Sequence, residues 1–177
     1  MKIFLSGGCK NGKSYLAQLL AKHLAGDDPL FYIATMIPHD EEDRARIRRH
    51  LRERDGWGFE TVEVGRDIAS CTAHCAKGCS LLDSVTALLA NEMFPNGETD
   101  EDAPRRTAEG LLRFLDGVEN AVLVSDWIYG EAARYDAMTE HYRAGLAYLD
   151  RTLAAHCDAV AEVCAGTAVW HKGASPL

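Results

Sequence analysis

Residues 7–14 read Gly7-Gly8-Cys9-Lys10-Asn11-Gly12-Lys13-Ser14, which fits the pattern G-x-x-x-x-G-K-[ST]. An apolar run, Lys2–Leu5, precedes it and a segment of helical period, Lys13–Ala25, follows, so the strand-before, helix-after context is present. The spacing has a physical reason. A loop that turns its backbone N–H groups inward at a helix N-terminus makes an anion site, and the helix dipole adds favourable charge there. Lys13 can then reach the β and γ phosphates of a nucleotide, and the Ser14 hydroxyl can ligate the Mg²⁺ that bridges them. All eight residues are candidate nucleotide contacts.

Outward from this loop, β-branched apolar runs alternate with stretches of helical period. That pattern is expected of an α/β fold, a P-loop NTPase-like, mostly parallel sheet flanked by helices. Strands are expected at Leu30–Ala34, Thr61–Val64, Cys79–Ser84, Ala121–Ser125 and Ala159–Ala165. Helices are expected at Glu41–Arg54, Asp67–Ala76, Val85–Phe94, Thr107–Leu115 and Met138–Cys157. Residues 95–106, PNGETDEDAPRR, read as a solvated loop and residues 168–177 as an exposed terminus. A length of 177 residues suits one domain over 1–177. The net charge of -8 argues against a nucleic-acid partner. No apolar run reaches the roughly 20 residues of a membrane span, and no leader is evident. A cytoplasmic protein with reduced cysteines is expected.

Asp83 closes the run Ser80-Leu81-Leu82-Asp83, where a carboxylate at a strand tip could join Ser14 in a metal shell. Its alternative role is the N-cap of the next helix. Between the second and third strands, Asp40, Glu41 and Glu42 precede a basic set, Arg44, Arg46, Arg48, Arg49, Arg52 and Arg54, with His50 among them. Composition alone reads this as a solvated face. The functional alternative uses the His50 imidazole as a nucleophile toward phosphorus, with arginines neutralising charge. His39 is a weaker nucleophile candidate. Cys71, Cys75 and Cys79 enclose His74 but lack the returning ligand pair of common zinc sites, so core thiols are expected. Trp127 and Tyr129 either stack on a flat ligand or pack.

The loop, Tyr32–Thr35 (YIAT), the acids at 40–42, Arg46-Ile47 with His50 (RIxxH), Trp57–Glu63 and Leu81–Asp83 keep a recognisable order. Together they resemble the bifunctional adenosylcobinamide kinase / adenosylcobinamide-phosphate guanylyltransferase family of cobalamin synthesis. The resemblance implies two reactions. A γ-phosphoryl group of ATP or GTP passes to a hydroxyl of adenosylcobinamide, and GMP from GTP then passes through a histidine to adenosylcobinamide phosphate. It implies catalytic roles for His50 and Lys13, and nucleotide contacts by the loop, Thr35, Arg52, Arg54, Glu63 and Asp83. It also implies Mg²⁺ on Ser14 and Asp83, and a homo-oligomer, notably a trimer. The second half departs from the family's pattern. Ser125-Asp126-Trp127-Ile128-Tyr129-Gly130-Glu131 stands where the family runs Asn-Glu-Val-Gly, then a glycine and Val-Pro, and Leu149-Asp150 replaces Val-Asn. His141-Tyr142-Arg143 is similar to the family's His-Phe-Arg. Two alternatives stay open: a small-molecule kinase without guanylyl transfer, and a nucleotide-dependent binding or regulatory module.

Overall fold

Continuous apolar runs, rather than alternating ones, belong to strands covered on both faces. The computed structural model places them so, and it describes every residue except His39 and Glu131, together with all side chains but those two, Arg46 and Glu53. The strands are β1 (Lys2–Ser6), β2 (Leu30–Ala34), β3 (Glu60–Glu63), β4 (Cys79–Asp83), β5 (Asn120–Val124), β6 (Ala159–Cys164) and β7 (Thr167–Lys172). They form one sheet in the order β3-β2-β4-β5-β1-β6-β7. The first six run parallel, and β7 is antiparallel to β6. The interior strands β1, β2, β4 and β5 are almost wholly buried, whereas β3 and β7 form exposed edges.

Side chains alternate across the sheet and so divide the core in two. On one face Ile3, Leu5, Tyr32, Cys79 and Leu81 pack against Ala17, Leu20 and Ala21 of α1 (Lys13–Ala25). On the other, Phe4, Ile33, Leu82 and Leu123 meet α3 (Val85–Met93), α4 (Ala103–Gly117) and α5 (Ala137–His156) through Leu88, Phe114 and Leu149. The remaining helix, α2 (Glu41–Glu53), contributes nothing to either cluster among the described residues. It is opened by Asp40, whose carboxylate caps the Asp43 amide, and by three acids in its first turn.

Three expectations need correction. Residues 67–76 form a short 3₁₀ turn at Ile68–Cys71 rather than a helix. Ser70 and Thr72 hydroxyls donate to the carbonyls of Asp67 and Ala69, offering the backbone an alternative to helical bonds. Helix α4 begins at Ala103, inside the segment read as a loop. Pro104 suits the first helical turn, and Arg105 and Arg106 reach back to Asp102 and Asp100. The terminus is not free: residues 167–172 pair with β6 through a two-residue turn, Ala165-Gly166, both at positive φ.

The three cysteines that enclose His74 behave as core thiols. Cys71 and Cys75 lie buried on the α4 side, and Cys79 lies on the opposite face of the sheet. The three cannot converge on one ion. Among the described residues no group of three or more His, Cys, Asp or Glu is placed to hold a metal, and no helix is long and apolar enough to cross a membrane.

Candidate nucleotide site

At the carboxyl edge of the sheet, β1 runs into the glycine loop and then into α1. Gly12 is the helix N-cap at φ 88, a left-handed conformation that favours glycine. The cap makes no side-chain hydrogen bond and the first turn carries no acid, so the leading amides are left for an anion. Gly7 lies so close to β6 that a Cβ there would collide with the carbonyl oxygen of Val163. The β6–β7 turn props the loop from the same side: Gly166 N donates to Asn11 O at 3.1 Å, and Ala165 N to Asn11 Oδ1 at 3.4 Å.

Lys13 is only 5% exposed, and a buried ammonium requires partners. Its Nζ donates to Gly8 O at 2.6 Å and pairs with Asp126 Oδ1 at 2.9 Å. Asp126 follows β5, the neighbour of β1. Its amide donates to Thr86 Oγ1, and the amide of Trp127 donates to Gly7 O at 3.0 Å. The loop beyond is held by Arg143 of α5, which donates to the carbonyls of Ile128 and Ala133. Trp127 remains half exposed at the rim, while Tyr129 turns inward and donates to Asp150 Oδ2 at 2.9 Å.

A second group of predicted residues gathers around Asp83. The Arg54 guanidinium lies 3.4 Å from the centre of the Tyr32 ring, and the Tyr32 hydroxyl donates to Asp83 Oδ2 at 3.0 Å. Burial, with the Asp83 charge beside it, holds the Tyr32 phenol well above its ordinary range, so it stays a donor. Ser84, not Asp83, caps α3. Asp83 is thus a strand-end acid, two strands from β1 and about 10 Å from it on strand spacing.

His50 sits half-buried in the last turn of α2, one helical turn before Arg54, whose amide donates to His50 O. The connection that follows packs on α1, with Trp57 edge-on to Tyr15 at 5.9 Å and Lys22 Nζ over its ring at 5.7 Å. The segment that follows α2 is thereby packed on α1.

Other candidates stand further off. Thr35 is fully buried, and its hydroxyl is committed to both the amide and the carbonyl of Ser84, clipping β2 to β4. Arg52 is exposed, and Glu63 ends the edge strand four strands from β1, about 19 Å away. Arg44 and Arg48 both pair with Glu41, an acid of the first turn of α2. His39, the second nucleophile candidate, lies outside the described residues, as do Glu131 and the Arg46 side chain.

Sequence reading missed Asp126 as the Lys13 partner, because that contact depends on β5 lying beside β1. It also missed Asn91, whose amide ties Thr35 O to Gly65 O, and the burial of Asp150. An acid inside the apolar stripe Leu146, Leu149, Leu153 was the available signal for Asp150.

The donor set suits Mg²⁺ rather than a softer metal. Ser14 and Asp83 offer only oxygen, and Mg²⁺ commonly takes one or two protein ligands and completes its shell with phosphate and water.

The family model described as Cobinamide kinase / cobinamide phosphate guanyltransferase matches residues 3–170. The chain belongs to that family. As a member of the cobinamide kinase / guanyltransferase family it is a nucleotide-binding transferase of cobalamin biosynthesis. The match extends through the Asp126 loop and α5, beyond the motifs that carry the resemblance in sequence. No curated protein matches the chain. Among solved structures, this cobinamide kinase family member is similar to the crystal structure of flagellar accessory protein FlaH from Methanocaldococcus jannaschii. Identity is 13% and the TM-score 0.47, covering 97% of this chain and 78% of that one, a distance at which nothing about function transfers.

Proposed function

We propose that this chain performs both transfers that its family's description names, on adenosylcobinamide and then on its phosphate. In the first, Lys13 and the α1 amides hold the triphosphate of ATP or GTP while the γ-phosphoryl group moves to the substrate hydroxyl. In the second, a nitrogen of His50 attacks the α-phosphorus of GTP and pyrophosphate leaves. A phosphate oxygen of adenosylcobinamide phosphate then takes the GMP, the P–N bond breaks, and the imidazole is regained. Ser14 and Asp83 would hold Mg²⁺, which when bound offsets the phosphate charge. Nucleotide contacts come from Gly7, Gly8, Cys9, Lys10, Asn11, Gly12, Lys13 and Ser14, with Arg54 and Asp83 beside them and Arg52, Thr35 and Glu63 further out.

The observation that supports this reading is the chain of contacts from the end of α2 to the sheet edge. Arg54 stacks on Tyr32, Tyr32 bonds Asp83, and His50 is one turn away from Arg54. We further propose that residues 1–177 act as one cytoplasmic domain within a homo-oligomer, a trimer by family resemblance, with no nucleic-acid partner.

Intact-mass spectrometry after incubation with GTP and Mg²⁺ tests the second transfer. The wild type should gain the mass of one GMP and His50→Ala should not. No gain in a wild type that still binds GTP would remove His50 from the chemistry and leave a kinase or a nucleotide-binding module.

A further inference from the structure

Behind the phosphate loop lies a carboxylate to which neither transfer assigns a role. Asp150 projects from α5 into the core and is 3% exposed. One oxygen, Oδ2, accepts from Tyr129, while Oδ1 is buried without a hydrogen-bond partner among the described residues. Ser125 Oγ, at the end of the β5 run, is close enough to lower the Asp150 pKa but likewise completes no hydrogen bond. The groups around this pair are few. Asp126 is on the adjoining loop, Tyr142 is on the same helix, and Ser6 of β1 reaches Tyr129, as does the charge of Arg151. Asp150 forms no ion pair among the described residues, and Lys13 is paired with Asp126. Burial, opposed in part by Ser125 and Tyr129 and reinforced by Asp126, pushes the Asp150 carboxyl up to about 6.

A triphosphate changes this balance in one direction. It adds several negative charges at the loop and competes for the Lys13 ammonium, leaving Asp126 without its cation. Both changes disfavour a further buried anion behind the loop. A proton on Asp150 removes that anion.

We propose that Asp150 is a positioning residue of the phosphate site: through Tyr129 it sets the loop that presents Asp126 to Lys13, and it takes up a proton when a nucleoside triphosphate binds. The inference rests on the phosphate-site reading above. The proton comes from solvent, and no covalent bond changes.

Titration calorimetry of Mg·GTP into the whole protein, at pH 7 in two buffers of different ionisation enthalpy, counts the protons. A carboxyl of pKa near 6 is roughly one-tenth protonated at pH 7, so filling it on binding takes up about 0.9 proton per GTP. Asp150→Asn should bind GTP with that uptake abolished. Tyr129→Phe removes a hydrogen bond that favours the carboxylate, so its Asp150 starts more protonated and the uptake shrinks. This second variant carries the test if Asp150→Asn does not fold. Equal proton uptake in wild type and Asp150→Asn, or none in a wild type that binds GTP, overturns the inference alone. A wild type that binds no triphosphate overturns the phosphate-site reading and the inference with it.

Discussion

Asp126→Asn should tighten nucleotide binding while weakening the fold. At 2.9 Å the Lys13–Asp126 pair has a gross attraction of about 6 kcal/mol at an effective dielectric near 20. Desolvation of the 5% exposed lysine, and solvent access to a carboxylate one-third exposed, reduce the net value to about 1–2 kcal/mol. A triphosphate must displace this partner to engage Lys13. Substituting asparagine keeps the shape, removes the competing charge, and should lower the Kd for Mg·GTP by about tenfold, the equivalent of ~1.4 kcal/mol. The same 1–2 kcal/mol disappears from the unliganded protein, so its Tm should fall by roughly 2–8 °C. Calorimetric titration and thermal unfolding, run on the same preparations at low and moderate salt, give both numbers. Unchanged or weaker GTP binding by a folded Asp126→Asn protein would refute the idea that Lys13 is held in competition with the nucleotide.

Gly7→Ala places a methyl against the Val163 carbonyl of β6, which is backbone and cannot swing aside. It should cost about 1–3 kcal/mol in urea unfolding and loosen GTP binding, and a neutral outcome would mean that β6 yields. Tyr32→Phe keeps a ring for Arg54 but removes the donor to Asp83. Phosphoryl transfer should fall about tenfold with GTP affinity little changed, and equal rates would separate Asp83 from the reaction. Asp150 has a signed effect on stability. Its folded pKa of about 6 lies above the ordinary carboxyl value of 3.8, so the folded chain binds the proton more tightly. Stability is therefore lost as pH rises from about 4 through 6, by about 3 kcal/mol. Asp150→Asn escapes that loss and should exceed the wild type in denaturant midpoint at pH 8 but not at pH 4. An advantage that is the same at both pH values would contradict the assignment.

Local signals were legible wherever the chain carries its own punctuation. Helix α1 runs from Lys13 to Ala25 as read, between Gly12 and Gly26, and β2 has the expected bounds at Leu30 and Ala34. The segment at 67–76 was misread because hydroxyl-to-carbonyl bonds from Ser70 and Thr72 compete with a helix whose apolar spacing looks adequate. Strand β7 was missed because Ala165-Gly166 is a weaker hairpin signal than Asn-Gly. In the site, Lys13 and Asp83 follow from motif and strand end alone. Asp126 does not, since an acid after an apolar strand gains its partner from the sheet order. Asp150 meets Tyr129 across 21 residues of chain, and only the packed loop makes them neighbours.

The grip of Ala165 on Asn11 spans 154 positions of sequence. Such a link forms late, since closing so long a chain segment is slow compared with forming a helix or turn. The glycine loop therefore stays unbraced until the β6–β7 hairpin docks. A partly folded chain has the anion-binding sequence without its rear wall, and nucleotide capture is reserved for molecules whose sheet has closed on both sides of β1.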